Sequence, residues 1–405
     1  MTLTPEESAR SPWMTVWFSP RETIDHLVAT RPTYFVRLLL ILGAAACLYN
    51  EIVLTGDASA LLNWRLALGF VLSSAALGII SFYVGAWLLN GFGRLLGGQA
   101  SVMQTRAACA WSAPPLILGS VIILALGIVA NKTAIPPGVF ELLVFVFSLW
   151  SIVSFLRMLG RVQDFGFWRA VSTGLLNLLL AGVIAVLIRS FLFQPFNIPS
   201  GSMRPTLLVG DYIFVSKFAY GYSRFSFPFS PSLITGRIFA SEPSRGDVAV
   251  FRMTKQNADY VKRVVGLPGD RIQMKQGVLH INDTPVRRDA GRIAAAVDGD
   301  ACGAAPRPAI KRWRETLPDG ASYETINCLE NGSLGDTGVF TVPPGQLFVL
   351  GDNRDNSTDS RMTAFGYVPL ENLIGRVSVI YFSREADDAG AVTQVRSDRI
   401  GMAVR

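Results

Sequence analysis

Histidine is almost missing from this chain: 405 residues hold only His26 and His280. That scarcity removes the usual proton acceptor of hydrolytic mechanisms and leaves little for a metal site built on imidazole. Cysteine is scarce too, at four, and no two stand in a CxxC spacing. A zinc knuckle or a dithiol redox motif is therefore excluded, and no cofactor is expected. Charged side chains make up 17% of the sequence, with a basic balance of 37 Lys and Arg against 30 Asp and Glu. No basic run interleaved with aromatics occurs, which argues against a nucleic-acid partner. The opening MTLTPEESARSPWMTVWFSPRE has an early Glu pair and no short apolar core followed by small residues. It reads as a retained cytosolic tail rather than a cleavable signal peptide.

What abounds is apolar sequence, half of the chain. It concentrates before about residue 194, and the remainder is rich in Gly, Pro and charge, which places a boundary between Phe193 and Phe196. Five segments are apolar over the ~20 residues that a bilayer crossing takes: Tyr34 to Leu54, Leu66 to Leu89, Pro114 to Ala130, Val139 to Leu159, and Val171 to Phe193. Lys and Arg of short loops stay on the cytosolic side. Arg10, Arg21 and Arg31 precede the first span, Arg94 and Arg106 follow the second, and Arg157, Arg161 and Arg169 lie between the last two; the opposite loops carry only Arg65 and Lys132. The tail is expected inside, and five crossings put everything after Phe193 outside. Glu51 and Glu141 stand near span ends, at an interface rather than along a transport path. The stretch SPWMTVWFSPRETI, followed by several apolar spans, resembles the Yip-type family of multi-span membrane domains over about residues 11 to 165. That resemblance implies a scaffolding or interaction role and no chemistry.

Beyond Phe193 short alternating strands are separated by Gly, Pro and Asp turns, which predicts a β-rich domain. Asp247 to Arg252, Tyr260 to Val265, Gln346 to Leu350 and Gly375 to Phe382 are the clearest strands. In FNIPSGSMRPTL, Ser202 is a candidate nucleophile, and a nucleophilic serine needs a base. His26 falls in the tail, while His280 lies in VLHINDTPV, a predicted hairpin turning at Asn282 and Asp283. A Ser-His-Asp triad is thus disfavoured, and lysine is the remaining base. The period of two in YVKRVV puts Lys262 on one face with Tyr260 and Val264, and Arg263 on the other with Val261 and Val265. Periodicity alone leaves open whether Lys262 is a solvated strand lysine or a base, and whether Ser202 is a nucleophile or part of a Ser-Gly-Ser turn.

The stretches IPSGSMRPTLLVGDYIFVSKFAYG, SRGDVAVFR, DYVKRVVGLPGDRI and FVLGDNRDNSTDSRMTAFGYVP, in this order, closely resemble the successive boxes of bacterial type I signal peptidases, over about Phe191 to Phe382. By that resemblance Ser202 is the nucleophile and Lys262 the general base. Ser200 supplies a hydroxyl to the oxyanion hole beside the backbone N–H of Ser202. Ser357 hydrogen-bonds and orients Lys262, and Asp359 with Arg361 forms a supporting ion pair, although a surface pair would contribute little. Phe196, Ile198, Met203, Leu207, Tyr260 and Val261 are implied around the substrate, in shallow pockets accepting Ala-like side chains one and three residues before the cut; core packing is the alternative for each. The chain departs from the simplest members of that family in having four extra spans.

Cys302 and Cys328 lie between the third and fourth boxes in polar, turn-rich surroundings, where an oxidising compartment permits a disulfide. The expected organisation is a cytosolic tail (1–33), a four-span Yip-like domain (34–165), a fifth span as anchor (166–195), an extracytoplasmic β-rich catalytic domain (196–383, with an inserted segment at about 275–343) and a polar tail (384–405). The expected activity is removal of signal peptides from exported preproteins in the inner membrane, with membrane lipid and the secretion translocon as further partners. Two rivals stand beside it: a processing peptidase with a few dedicated substrates, and a membrane scaffold whose peptidase part has decayed. The intact Ser202, Lys262 and Ser357 set speaks against decay.

Overall fold

Apolar runs become helices in the first part of the chain and alternating runs become antiparallel strands in the second, as the computed structural model shows. It describes residues 11–54, 64–130, 136–228, 230–231, 234–291, 311–328, 332, 334–386 and 392–404. Two compact units result, Met1–Val183 and Ile184–Arg405.

In the first unit the helices are α1 (Pro12–Thr15), α2 (Pro20–Thr30), α3 (Val36–Leu54), α4 (Trp64–Ile80), α5 (Ala86–Leu95), α6 (Val102–Trp111), α7 (Pro114–Ala130), α8 (Pro137–Val162) and α9 (Phe167–Leu187), which runs into the second unit. A π-helical turn, Ser81–Gly85, joins α4 to α5. Among the described residues four helical stretches are long and apolar enough to cross a membrane: Val71–Leu95, Val102–Ile128, Gly138–Val162 and Phe167–Leu192. The apolar part of α3, Val36–Asn50, is shorter. The stretch Val102–Ile128 starts well before the expected Pro114, because Gln104 and Arg106 lower the hydropathy of α6 without interrupting its helix. Lys132 and Arg10 lie outside the described residues. Leu39, Leu40, Ala107, Trp111 and Met158 pack with Ile24 and Leu27 of α2 into one core. An ion pair between Asp25 and Arg161, at 2.9 Å, ties α2 to α8.

In the second unit the main sheet is antiparallel. β1 (Phe193–Asn197) lies at its edge, followed by β2 (Asp211–Ser216), the strand Leu373–Ala386, β3 (Val248–Met253), β4 (Ala258–Gly266) and the strand Gln346–Leu350. All four predicted strands are present. Burial in β4 does not alternate with the pleat: every residue from Lys262 to Gly266 is buried, because apolar clusters cover both faces of the sheet. The predicted hairpin is also present, with Ile281 opposite Thr284 and both Asn282 and Asp283 at positive φ, as a tight two-residue turn requires. Cys328 is disulfide-bonded, while Cys302, its expected partner, lies outside the described residues.

Candidate active site

Ser202 sits in a short 3-10 turn, Gly201–Met203, just beyond the end of β1. The loop that follows Gln346–Leu350 holds this turn from behind: the Asn353 N–H donates to Ser202 O at 3.1 Å and Asn353 Nδ2 to Gly201 O at 3.3 Å. Gly351 allows the approach. A Cβ there would lie 2.2 Å from Ser357 Oγ and 2.5 Å from Ser202 O, closer than any side chain tolerates.

Register along β4 brings Lys262 opposite Ala249 of β3, whose small side chain leaves the lysine stem room. Lys262 Nζ lies 2.7 Å from Ser202 Oγ and 3.2 Å from Val261 O. The side chain is 3% exposed. Burial lowers its pKa to about 8, against the opposing pull of the Asp359 and Asp352 carboxylates. The solvated-lysine reading is thereby overturned: the pleat alone could not reveal that both faces of this strand are covered.

Ser200 is exposed, with Oγ 3.5 Å from Ser202 Oγ. The expected hydrogen bond from Ser357 to Lys262 is not formed. Ser357 Oγ is buried without any hydrogen-bond partner, and the lysine amine is directed to Ser202 and Val261 instead. Asp359 and Arg361 pair at 2.9 Å with side chains 0% and 1% exposed, so the surface-pair alternative falls. Asp359 Oδ2 accepts the Gly351 N–H at 3.1 Å and Arg361 Nη2 donates to Arg354 O at 2.6 Å, so the pair shapes the loop behind Ser202.

A second buried pair escaped the sequence reading. Arg263 and Asp352, 89 residues apart in the chain, meet at 2.6 Å, and Arg263 stacks 4.0 Å from the Tyr323 ring centroid. No local signal joins them; only the pairing of β4 with Gln346–Leu350 does. Behind them Arg354 pairs with Glu315, equally buried.

A cleft of about 390 Å³ opens in front of Ser202 and Lys262. Phe196, Ile198, Met203, Tyr260 and Val261 line it as expected, with Met203 and Ile198 forming a nearly covered floor. Leu207 does not line it. It is fully buried in the core beneath, with Ile213 and Val215, because the chain turns inward after Pro205. Val250 of β3 lines the cleft and was not expected. Among the described residues no group of acidic, histidine or cysteine side chains could hold a metal ion.

The family model described as signal peptidase, peptidase S26, matches residues 172–382, and the Yip1 domain model matches residues 14–188. Signal peptidase I of Rickettsia typhi is 44% identical over 212 residues, covering 49% of this chain and 76% of that protein. Signal peptidase I of Rickettsia conorii is 42% identical over 228 residues, covering 52% and 81%. A solved signal peptidase I from Enterococcus faecalis, 26% identical, covers 34% of this chain and 97% of its own; the TM-score of 0.20 is too low to bear on the fold.

Proposed function

The chain belongs to the signal peptidase family, peptidase S26, and on that premise we propose that it removes N-terminal signal peptides from exported preproteins through a Ser202–Lys262 dyad. The observation that carries this reading is the 2.7 Å separation of a serine hydroxyl and a buried amine whose pKa has fallen to about 8. A neutral amine accepts the Ser202 proton as Oγ attacks the scissile carbonyl. The oxyanion that forms is met by the Ser202 N–H and the Ser200 hydroxyl. The protonated amine then gives its proton to the departing amine of the mature protein, leaving an acyl-enzyme. Lys262, neutral again, takes a proton from water, and the hydroxide equivalent releases the signal peptide's new carboxylate.

The cleft lined by Phe196, Ile198, Met203, Tyr260 and Val261 would seat the Ala-like side chains one and three residues before the cut. β1 is an edge strand, so an extended substrate has a free line of backbone groups beside it. Ser357, unpartnered in the resting site, would bond Lys262 once substrate is seated, and Asp359 with Arg361 would hold the loop behind Ser202.

The protein is a membrane protein by its apolar helices and the Yip1 match. We place its N-terminus in the cytosol and its catalytic unit outside, from the arginines flanking the spans, with membrane lipid and the translocon as partners. The test is cleavage of a purified preprotein by wild type and by Ser202→Ala: the variant should release no mature protein, and cleavage by both would overturn the assignment.

A further inference from the structure

A second cleft, also of about 390 Å³, lies beside the catalytic one and shares Asp259 with it. It continues the same strand. Gln194 and Phe196 are the half-buried positions of β1, the strand's other positions being exposed, and Ile198 just beyond its end continues the alternation. Phe196 and Ile198 line the catalytic cleft, whereas Gln194 lines the second. Just before it in the chain come the apolar stretch Phe167–Leu192 and, near its end, Arg189, which also lines the second cleft.

A signal peptide's apolar segment precedes the cut, and the second cleft lies toward the end of β1 that follows the apolar stretch Phe167–Leu192. Alternate residues of an extended chain face the same side, about 6.6 Å apart. If residues one and three before the cut face Ile198 and Phe196, residue five faces Gln194 and the second cleft.

The chemistry of that cleft is not apolar. Arg189 and Arg252 stand against one carboxylate, Asp259, to which Arg252 already pairs at 2.9 Å. Arg189 has no hydrogen-bond or ion-pair partner among the described residues, and the buried amine of Lys217 is close enough to feel its charge. Phe225 and Phe227 also line it.

We propose that the cleft of Arg189 and Arg252 is a subsite for the fifth residue before the cut, favouring a carboxylate or amide side chain and discriminating against lysine. This rests on the signal-peptidase reading above. A phosphate of the adjacent lipid surface is the competing use of the same guanidinium.

The test uses the full chain in neutral phosphatidylcholine vesicles and three peptides that differ only at that residue, as Glu, Gln or Lys. The Glu peptide should exceed the Lys peptide about fivefold in kcat/KM, the scale of one solvent-accessible charge pair, with Gln between them. Arg189→Glu should reverse the order, a ratio that does not depend on the variant's overall rate. Equal cleavage of all three, or an order untouched by Arg189→Glu, overturns the subsite. So does a charge preference that emerges only when phosphatidylglycerol is added, which would assign the guanidinium to lipid. Failure to cleave any of the three would sink the signal-peptidase reading itself, and the subsite with it.

Discussion

Lys262 Nζ lies 2.7 Å from Ser202 Oγ, on a strand whose two faces are both covered. Because burial lowers the lysine pKa to about 8, activity should rise with pH through that value. Lys262→Arg should lose 10²-fold or more in kcat, since a guanidinium keeps its proton throughout the range. Retention of more than a tenth of wild-type turnover would remove Lys262 from the chemistry.

The same pKa has a stability consequence. Between about 8, the folded value, and ~10.4, the unfolded one, the unfolded chain holds a proton that the folded chain lacks, so this lysine makes stability rise with pH across that window. Lys262→Met should lack the increment. Parallel curves of melting temperature against pH for both proteins would contradict it.

Gly351→Ala should lower kcat at least tenfold and cost about 1–3 kcal/mol of stability, because the new methyl has to displace Ser202 O or Ser357 Oγ. Ser357→Ala removes a hydroxyl with no partner, so its melting temperature should match wild type. Its kcat should nevertheless fall, with KM unchanged, if the loaded site uses that hydroxyl to aim Lys262. A wild-type kcat would take Ser357 out of the mechanism.

Breaking the buried Arg263–Asp352 pair from one side should be costly. Asp352→Asn leaves a guanidinium buried without its counter-charge and should destabilise the protein by about 3–5 kcal/mol. The double change Arg263→Met with Asp352→Leu should cost less than the single one. Thermal unfolding of the full chain in detergent decides it, and a larger loss in the double variant would show that the pair is worth more than its desolvation.

Cys328 should resist thiol labelling until a reductant is added. With Cys302 as its proposed partner, the bond would close a loop of about 26 residues and contribute on the order of 3 kcal/mol. Cys328 donates its N–H to Asp355 at 2.7 Å, and Ile326 bridges to Asn353, the residue that holds Ser202. Reduction should therefore lower kcat as well as stability. Equal labelling before and after reduction would rule the bond out in solution.

Two of the expectations that failed, Leu207 in the cleft and Ser357 on the amine, concerned which way a side chain turns, which strand periodicity does not encode. The resemblance placed Leu207 near the substrate. Yet the chain bends inward after Pro205 and buries that residue with Ile213 and Val215. Lys262 illustrates the opposite case: the motif points to the residue, but the decision between solvated stem and buried amine needs the neighbouring strands.

By itself the sequence determined where membrane helix gives way to β-rich domain, since apolar length and alternation are local properties of the chain. It determined the turn at Asn282 and Asp283 and, through motifs in a recognisable order, singled out Ser202 and Lys262 as the candidate dyad. Only the tertiary structure decided that Ser202 and Lys262, 60 residues apart, stand within a hydrogen bond, that Asp359–Arg361 and Arg263–Asp352 are buried rather than solvated, and that a second basic cleft continues the first. The physical reason is that a pKa, an ion pair's worth and a pocket's charge all depend on how much water is excluded around a group. That exclusion is produced by strands and loops brought together from distant parts of the chain.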